Sequence, residues 1–113
     1  MKPIDLALKY MDIVFNGKDP HLLKEILDDQ LTFSGPMYHF DSAKDYINSL
    51  IDNPPDGFGY ELIHSYEDET TTCLLYEFHK PGVRIPMAQF FKIGKNKISK
   101  ILLIFDASFF SSL

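Results

Sequence analysis

The feature that most constrains the fold is a pair of long apolar runs, residues 86–94 and 98–106, joined at Lys95-Asn96-Lys97. Two such runs with a short polar turn between them are typical of a β-hairpin. Both runs are apolar on both faces, whereas a sheet with one face in water shows a clean alternation. Each face must therefore be covered. Helices upstream can cover one face, and a second copy of the chain is expected to cover the other.

Three amphipathic helices are predicted ahead of the strands. The first spans residues 3–16 and places its polar side chains on one stripe. The second is capped by Asp19 and is predicted to end near Asp28-Asp29, and the third is capped by Asp41 or Ser42. The positions predicted to face inward are Leu22, Leu23, Ile26 and Leu27 in the second helix, and Ala43, Tyr46, Ile47 and Leu50 in the third.

The strands are predicted to follow the helices. A short strand at residues 31–33 is interrupted by Gly35-Pro36, and a second extended piece covers residues 37–40. After a Pro/Gly-rich linker, four strands are predicted at residues 60–67, 70–79, 83–93 and 98–106. Their short connections favour an antiparallel meander. Helices followed by strands indicate one α+β domain over residues 1–113, with three helices packed on a curved, mostly antiparallel sheet.

Composition excludes several classes of partner. The net charge is −5 and the Lys and Arg residues are scattered, so no basic stripe is available for nucleic acid. The single cysteine, Cys73, cannot form an intrachain disulfide and is expected to be a buried thiol. Asp5, Lys9 and Asp12 interrupt the N-terminal region, which argues against a signal peptide, and no run has membrane-spanning length. A cytoplasmic protein without a nucleic-acid or membrane partner is predicted.

Few side chains are candidates for chemistry. Gln89 lies on an otherwise apolar strand face, and burying its amide without a partner costs about 2 kcal/mol or more, so it must bond to protein, water or ligand. The hydroxyl of Tyr10 in the first helix needs a partner for the same reason. His39 and His64 could transfer protons near neutral pH, although no neighbouring carboxylate is expected to orient either one. Asp106 ends the last predicted strand.

The same strand alternation assigns the remaining polar groups. It places His64 on one face with Tyr60, Leu62 and Tyr66, and it makes Glu77 and His79 solvent or interface residues. The histidines form no closely spaced pair, so no metal site is predicted. A phosphate-binding glycine loop and a nucleophile elbow are also missing from the sequence, so no cofactor is predicted.

Three local patterns resemble the nuclear transport factor 2-like superfamily, in particular its SnoaL-like members related to polyketide cyclases and ketosteroid isomerases. They are Phe33-Ser34-Gly35-Pro36 followed by Phe40, Gln89-Phe90-Phe91-Lys92 leading to Lys97-Ile98, and the closing Phe105-Asp106. The resemblance implies a cystatin-like, cone-shaped α+β roll whose helices roof an interior pocket, and many members dimerise through the outer sheet face.

The isomerase branch of the superfamily uses three side chains, and only one has a counterpart here. The resemblance places Tyr10 at its first-helix tyrosine, whereas Gly35 and Gln89 stand where it has aspartates. Neither Gly35 nor Gln89 can shuttle a proton. A ketosteroid-isomerase reaction is therefore not expected.

Three functions remain open. The leading prediction is a pocket for a small, largely apolar molecule. The alternatives are a metal-independent acid–base enzyme of isomerase, cyclase or hydratase type, and a homodimeric protein-association module whose cone is filled by its own side chains. The candidate catalytic residues are Tyr10, His39, His64 and Asp106. The predicted pocket residues are Tyr10, Val14, Phe33, Tyr76, Phe78, Met87, Gln89, Leu103 and Phe105. A homodimer is predicted through Ala88, Phe90, Leu102 and Ile104.

Overall fold

The structure, a computed structural model, describes residues 1–111 and forms one mixed six-stranded sheet with helices at its N-terminal end. The strand order is β2-β1-β6-β5-β4-β3, and every neighbouring pair is antiparallel except β1 and β6. This confirms the predicted α+β fold. The elements are α1 (Pro3–Phe15), a 3₁₀-helix (Pro20–Glu25), β1 (Leu27–Ser34), β2 (His39–Phe40), α2 (Ala43–Asp52), β3 (Gly59–Glu67), β4 (Thr71–Lys80), β5 (Val83–Gly94), β6 (Lys97–Ile104) and α3 (Ser108–Ser111).

The predicted C-terminal hairpin is formed by β5 and β6. Its turn residues Lys95 and Asn96 have φ values of 53° and 65°, and two successive left-handed residues are characteristic of the tight hairpin turn that matches strand twist. Register pairs Gln89 with Leu103 and Phe91 with Ile101 across the hairpin. The last strand is shorter than predicted because it ends at Ile104, so Asp106 lies beyond the sheet.

The prediction of a full second helix is wrong. The chain forms one short 3₁₀-helix, capped by Asp19 as expected, and then enters β1 at Leu27, so Asp28-Asp29 lies within a strand. The carbonyl of Ile26 accepts a hydrogen bond from the amide of Ile98 (2.8 Å), which captures the backbone in a parallel pairing with β6. Leu22, predicted to face inward, is exposed. Non-local pairing here overrides the local helical pattern.

The predicted grouping of His64 with Tyr60 and Leu62 is also wrong, although Tyr66 does share its face. A bulge between Leu62 and His64 shifts the register of β3 against β4 by one residue. Leu62 is opposite the buried Tyr76, whereas His64 is opposite Leu75 on the other face of the sheet. Because side chains alternate with period two, one extra residue moves every later side chain to the opposite face.

The helices cover the concave face of the sheet and form one core with it. Pro3 occupies the first turn of α1, and Ser42, one of the two predicted caps, accepts a hydrogen bond from the amide of Asp45 at the start of α2 (3.1 Å). The largest fully buried side chains come from α1, the 3₁₀-helix and the strands: Met11, Leu23, Leu27, Leu31, Leu74, Tyr76, Ile85, Phe91, Ile98 and Ile101. No helix within residues 1–111 has the length and apolar character needed to cross a membrane.

The C-terminal tail packs on the sheet through a short helix, α3, that the sequence did not indicate. The ring of Phe110 contacts Phe78 and Phe105, at centroid distances of 6.1 and 5.4 Å, and Lys80 lies over its face. Its neighbour Phe109 stays largely exposed. Phe110 therefore covers one end of the cone.

Candidate functional site

The most unusual feature of the interior is a chain of polar groups at the centre of the cone. The hydroxyl of Tyr76 donates to Oε1 of Gln89 (2.8 Å), and the hydroxyl of Tyr10 is paired with the hydroxyl of Tyr46. Gln89 also lies close enough to Tyr10 to lower the pKa of its hydroxyl. All four residues are buried, with side chains supplied by α1, α2, β4 and β5. We call these four residues the polar centre. The prediction that a buried Gln89 must have a hydrogen-bond partner is confirmed.

Burial keeps the three phenols of the polar centre protonated. Removal from water raises the pKa of Tyr10 to about 12, an effect partly offset by the hydrogen bonds from Tyr46 and Gln89. Removal from water also raises the pKa values of Tyr46 and Tyr76, and the neighbouring phenols add to it. At neutral pH these hydroxyls can act as hydrogen-bond donors, but they cannot act as bases.

Apolar and aromatic side chains surround the polar centre. Phe91 meets the ring of Tyr10 edge-on, with 5.3 Å between centroids, and Phe33 stacks on Tyr46 at 4.7 Å. Phe15 meets the ring of Tyr76 edge-on, with 6.1 Å between centroids. Of the predicted pocket residues, the buried ones are Tyr10, Phe33, Tyr76, Phe78, Met87 and Gln89, and the partly buried ones packed against them are Val14, Leu103 and Phe105.

Two concave sites on the described residues lie outside the cone. One is a cleft of about 160 Å³ between the end of α1, Pro20, Leu50 and Pro54-Pro55, and it includes Val14 alone of the predicted pocket residues. The other is an open shelf between the N-terminus and the turn at residues 67–69. Every buried side-chain nitrogen or oxygen within the described residues has a hydrogen-bond partner. The polar groups of the interior are therefore paired with one another.

The other catalytic candidates do not contact the polar centre. His64 lies on the outer sheet face, defined as the face turned away from α1 and α2, and its ring contacts Tyr66. Asp106 is exposed and accepts hydrogen bonds from the side chain and backbone of Ser108, which hold its pKa below the usual value. The structure thus separates both groups from Tyr10 and Gln89.

The expectation that no carboxylate orients His39 is wrong. Its Nε2 lies 2.7 Å from Asp41 Oδ1 and its Nδ1 lies 2.9 Å from Ser34 Oγ, so the ring is held on both sides. The histidine and the aspartate are exposed at the β1–β2 edge. The sequence predicts Asp41 only as a possible helix cap, so its contact with His39 was not expected.

The outer sheet face carries an apolar band formed by the predicted dimer residues. Ala88 pairs with Ile104, and Phe90 pairs with Leu102, on the adjacent strands β5 and β6. Ile104 is 55% exposed, whereas the other three are half-buried. Cys73, expected to be buried, is half-buried beside this band, opposite Phe90. We call Ala88, Phe90, Leu102 and Ile104 the outer band.

A second polar cluster was not foreseen from the sequence. Glu61 of β3 and Glu77 and His79 of β4 bring one ligand-type atom each within 4.8 Å of one another on the outer face. His79 Nε2 lies 2.6 Å from Glu77 Oε1, and Arg84 reaches the same oxygen at 3.4 Å. The sequence predicts Glu77 and His79 to be solvent or interface residues, and it gives no signal at Glu61.

Comparison with known proteins gives a fold and no sequence family. No protein-family model matches the chain, and no curated protein matches it. Among solved structures, an NTF2-like protein of unknown function from Cytophaga hutchinsonii ATCC 33406 is 23% identical with a TM-score of 0.83, covering 98% of this chain and 96% of that one.

Two further structures carry functional names. A provisionally assigned SnoaL-like polyketide cyclase from Shewanella putrefaciens CN-32 is 18% identical, with a TM-score of 0.79 and coverage of 95% of this chain and 81% of that one. A LEH-like epoxide hydrolase of M. tuberculosis is 13% identical, with a TM-score of 0.77 and coverage of 94% and 84%. Identities this low establish shared architecture and leave function open. The chain therefore has the cone-shaped α+β fold of the NTF2-like and SnoaL-like proteins.

Proposed function

We propose that the protein binds a small, largely apolar molecule that carries one hydrogen-bond-accepting oxygen, such as a carbonyl, against the polar centre. The observation that carries this proposal is a buried chain of three phenols and one amide. A core that only stabilises the fold can be filled by apolar side chains at equal or lower cost. The presence of four connected polar groups at the centre of the cone favours a binding role.

Counting hydrogens identifies what the polar centre has to offer. Each phenol has one hydrogen to donate, and Tyr76 gives its hydrogen to Gln89. The amide nitrogen of Gln89 can only donate, so a hydrogen of that amide is available to the neighbouring hydroxyl of Tyr10. Within the Tyr10–Tyr46 pair one hydroxyl donates to the other, and the accepting hydroxyl keeps its own hydrogen. Among the described residues no acceptor is paired with that hydrogen, so a ligand oxygen would complete the chain.

The surrounding residues define the rest of the ligand. The predicted pocket residues around the polar centre are apolar or aromatic, so the molecule should present a hydrocarbon surface to them. Aromatic side chains, including Phe78 and Phe110, contact one another at the end of the cone, so entry there requires them to move. The free energy of this opening would reduce the measured affinity.

Binding is a better-supported function than acid–base catalysis. Neutral phenols can stabilise a developing oxyanion, but proton transfer also needs a titrating group within hydrogen-bond reach of the substrate. None of His39, His64 and Asp106 contacts the polar centre within the described part of the chain. The enzyme alternative would therefore need one of these groups to be carried in by the opening motion.

The test is a thermal-shift panel of small cyclic ketones, each compared with the hydrocarbon of the same carbon skeleton. We expect the ketones to stabilise the protein more than their hydrocarbons. The double variant Tyr10→Phe/Tyr46→Phe should lose this difference, corresponding to roughly 3- to 10-fold weaker ketone binding for one lost hydrogen bond. The matched control is Tyr38→Phe/Tyr66→Phe, at two exposed positions. Equal stabilisation by ketone and hydrocarbon in the wild type would refute the proposal.

A second candidate, a homodimeric association module, is favoured by the outer band. An apolar patch on two adjacent strands is a common protein-interaction surface. We expect light scattering to give twice the 13.0 kDa chain mass, and Phe90→Glu to give the monomer mass. A monomeric wild type at micromolar concentration would remove this candidate. Dimerisation without any ketone effect would leave it as the function. A cytoplasmic location, which fits the lone thiol, stays a prediction.

A further inference from the structure

We propose that Glu61, Glu77 and His79 form a binding site for a divalent transition-metal ion of the Zn²⁺ type on the outer face of the sheet. Two carboxylates and one imidazole converge there, with one ligand-type atom from each residue within 4.8 Å of the others. The site shares no residue with the polar centre, so its test is independent of the proposed ligand-binding function.

The strand register builds the site. Glu61 of β3 is directly opposite Glu77 of β4, and His79 follows Glu77 by two residues on the same face. Side chains in such positions are near neighbours, with Cβ atoms about 5 Å apart for the opposed pair. Three ligands on two paired strands are therefore held by the backbone, without a loop having to fold around the ion.

The charges also favour a cation between the strands. Like charges directly opposite one another in an antiparallel pair are destabilising. The carboxylate of Glu61 forms no ion pair or hydrogen bond with any side chain among residues 1–111. His79 (2.6 Å) and Arg84 (3.4 Å) both lie beside the same oxygen of Glu77, and neither forms an ion pair with Glu61. A divalent ion shared by both glutamates would neutralise Glu61 as well.

The imidazole decides the class of ion. Zn²⁺ binds histidine nitrogen and carboxylate oxygen, and three protein ligands leave one coordination position for water. Ca²⁺ and Mg²⁺ prefer sites made of oxygen ligands alone. His79 distinguishes this cluster from the acidic turn at Glu67-Asp68-Glu69, which offers only carboxylates.

Arg84 provides a test that a non-specific surface effect would not pass. Its guanidinium competes for the Glu77 oxygen that the ion would use, and its positive charge opposes the ion. Removing it should therefore strengthen metal binding, whereas removing either glutamate or the histidine should weaken it. The ion would also hold β3, the edge strand of the sheet, to β4.

The experiment is isothermal titration calorimetry of the tag-free chain with zinc chloride, together with melting curves. We expect one ion per chain and a rise in Tm of about 11 °C at a hundredfold excess over Kd. His79→Ala and Glu61→Gln should each weaken binding about tenfold or more, while Arg84→Ala should tighten it. The control is His21→Ala, which removes an exposed histidine paired with one carboxylate, Asp19; binding should not change.

A second readout does not depend on the variants folding. In the wild-type protein, Zn²⁺ should shift the NMR signals of the His79 ring and leave those of His21 unchanged. Wild-type binding affinity in His79→Ala, or a zinc-induced shift confined to His21 or His39, would overturn the proposal. Looser zinc binding in Arg84→Ala would do the same.

Discussion

Replacing Gln89 with leucine should destabilise the protein by about 2 kcal/mol, because two buried phenols lose a partner. Tyr76 is 1% exposed and donates to Gln89 at 2.8 Å, so its hydroxyl would be left unpaired away from water. An unsatisfied buried donor costs about 1 to 3 kcal/mol. Tyr10 loses less because it keeps Tyr46. The greater apolar character of leucine offsets part of this loss of stability.

The assay is equilibrium urea unfolding of four proteins: the wild type, Gln89→Leu, Tyr76→Phe and the double variant. A loss of about 2 kcal/mol corresponds to a fall in Tm of roughly 8 °C for a domain of this size. The double variant should be more stable than Gln89→Leu alone, since replacing both partners by apolar groups leaves no unpaired donor. The coupling energy of the cycle should be about 1 kcal/mol or more.

The result that would refute this reasoning is a Gln89→Leu protein as stable as the wild type. The interior around Gln89 would then tolerate an unpaired Tyr76 hydroxyl, which means that water reaches it or that the hydroxyl has another acceptor. Additive effects of the two single substitutions would equally contradict a direct bond between the two side chains.

Three further predictions concern pH and the hairpin turn. Hydrogen bonds from Thr71 and Thr70 lower the pKa of Asp68 in the folded state. The ionised carboxylate therefore stabilises the fold at neutral pH, and this stabilisation is lost as the pH falls through the lowered pKa. The urea midpoint of Asp68→Asn should consequently change less with acid than that of the wild type. Burial raises the pKa of Tyr10 to about 12, so the folded state favours the protonated phenol. This stabilisation should disappear as the pH rises from about 10 towards 12. The absorbance of the Tyr10 phenolate and the unfolding followed by circular dichroism should therefore appear together. Lys95 has a φ of 53°, a conformation that asparagine tolerates better than lysine. Lys95→Asn should therefore raise the free energy of unfolding in urea by up to about 1 kcal/mol. A loss of stability would show that the lysine side chain itself stabilises the turn.

The parts of the fold that could be predicted from the sequence depend on local signals. The hairpin of β5 and β6 combines strand periodicity with a turn whose residues suit left-handed backbone, and all of this lies within consecutive residues. The second helix failed for the opposite reason. Its amphipathic pattern was present, but the pairing of Ile26 and Leu27 with Ile98 joins segments about seventy residues apart, and no local pattern reports that pairing.

One bulge explains two misses on the outer face. Near its turn, β3 pairs with β4 as a simple hairpin, with Tyr66 opposite Cys73, and continuing that register would place Glu61 opposite Phe78. The bulge after Leu62 instead places Glu61 opposite Glu77 and turns Tyr60 and Leu62 to the face opposite that of His64. A bulge leaves no reliable signal in a single sequence, so neither the glutamate pair nor the separation of His64 from Tyr60 and Leu62 could be found.

The sequence predicts part of the polar centre. Gln89 and Tyr10 stood out because a buried amide or phenol needs a partner, and this argument requires no structure. The helical pattern predicts Tyr46 only as one of the inward-facing positions of its helix. Its hydroxyl meets Tyr10 only because the tertiary fold brings one side chain of α1 and one of α2 together, a contact between elements that the sequence does not specify.

The measurement that tests the account most directly is a two-dimensional NMR titration of the ¹⁵N-labelled protein with a small cyclic ketone, following the side-chain amide of Gln89. If the polar centre receives the ligand oxygen, the Gln89 amide signals shift and saturate with the ketone, and the matched hydrocarbon produces a smaller change. If those signals stay fixed at a saturating ketone concentration, or if only residues of the outer band shift, the polar centre is a structural core and the binding function is wrong.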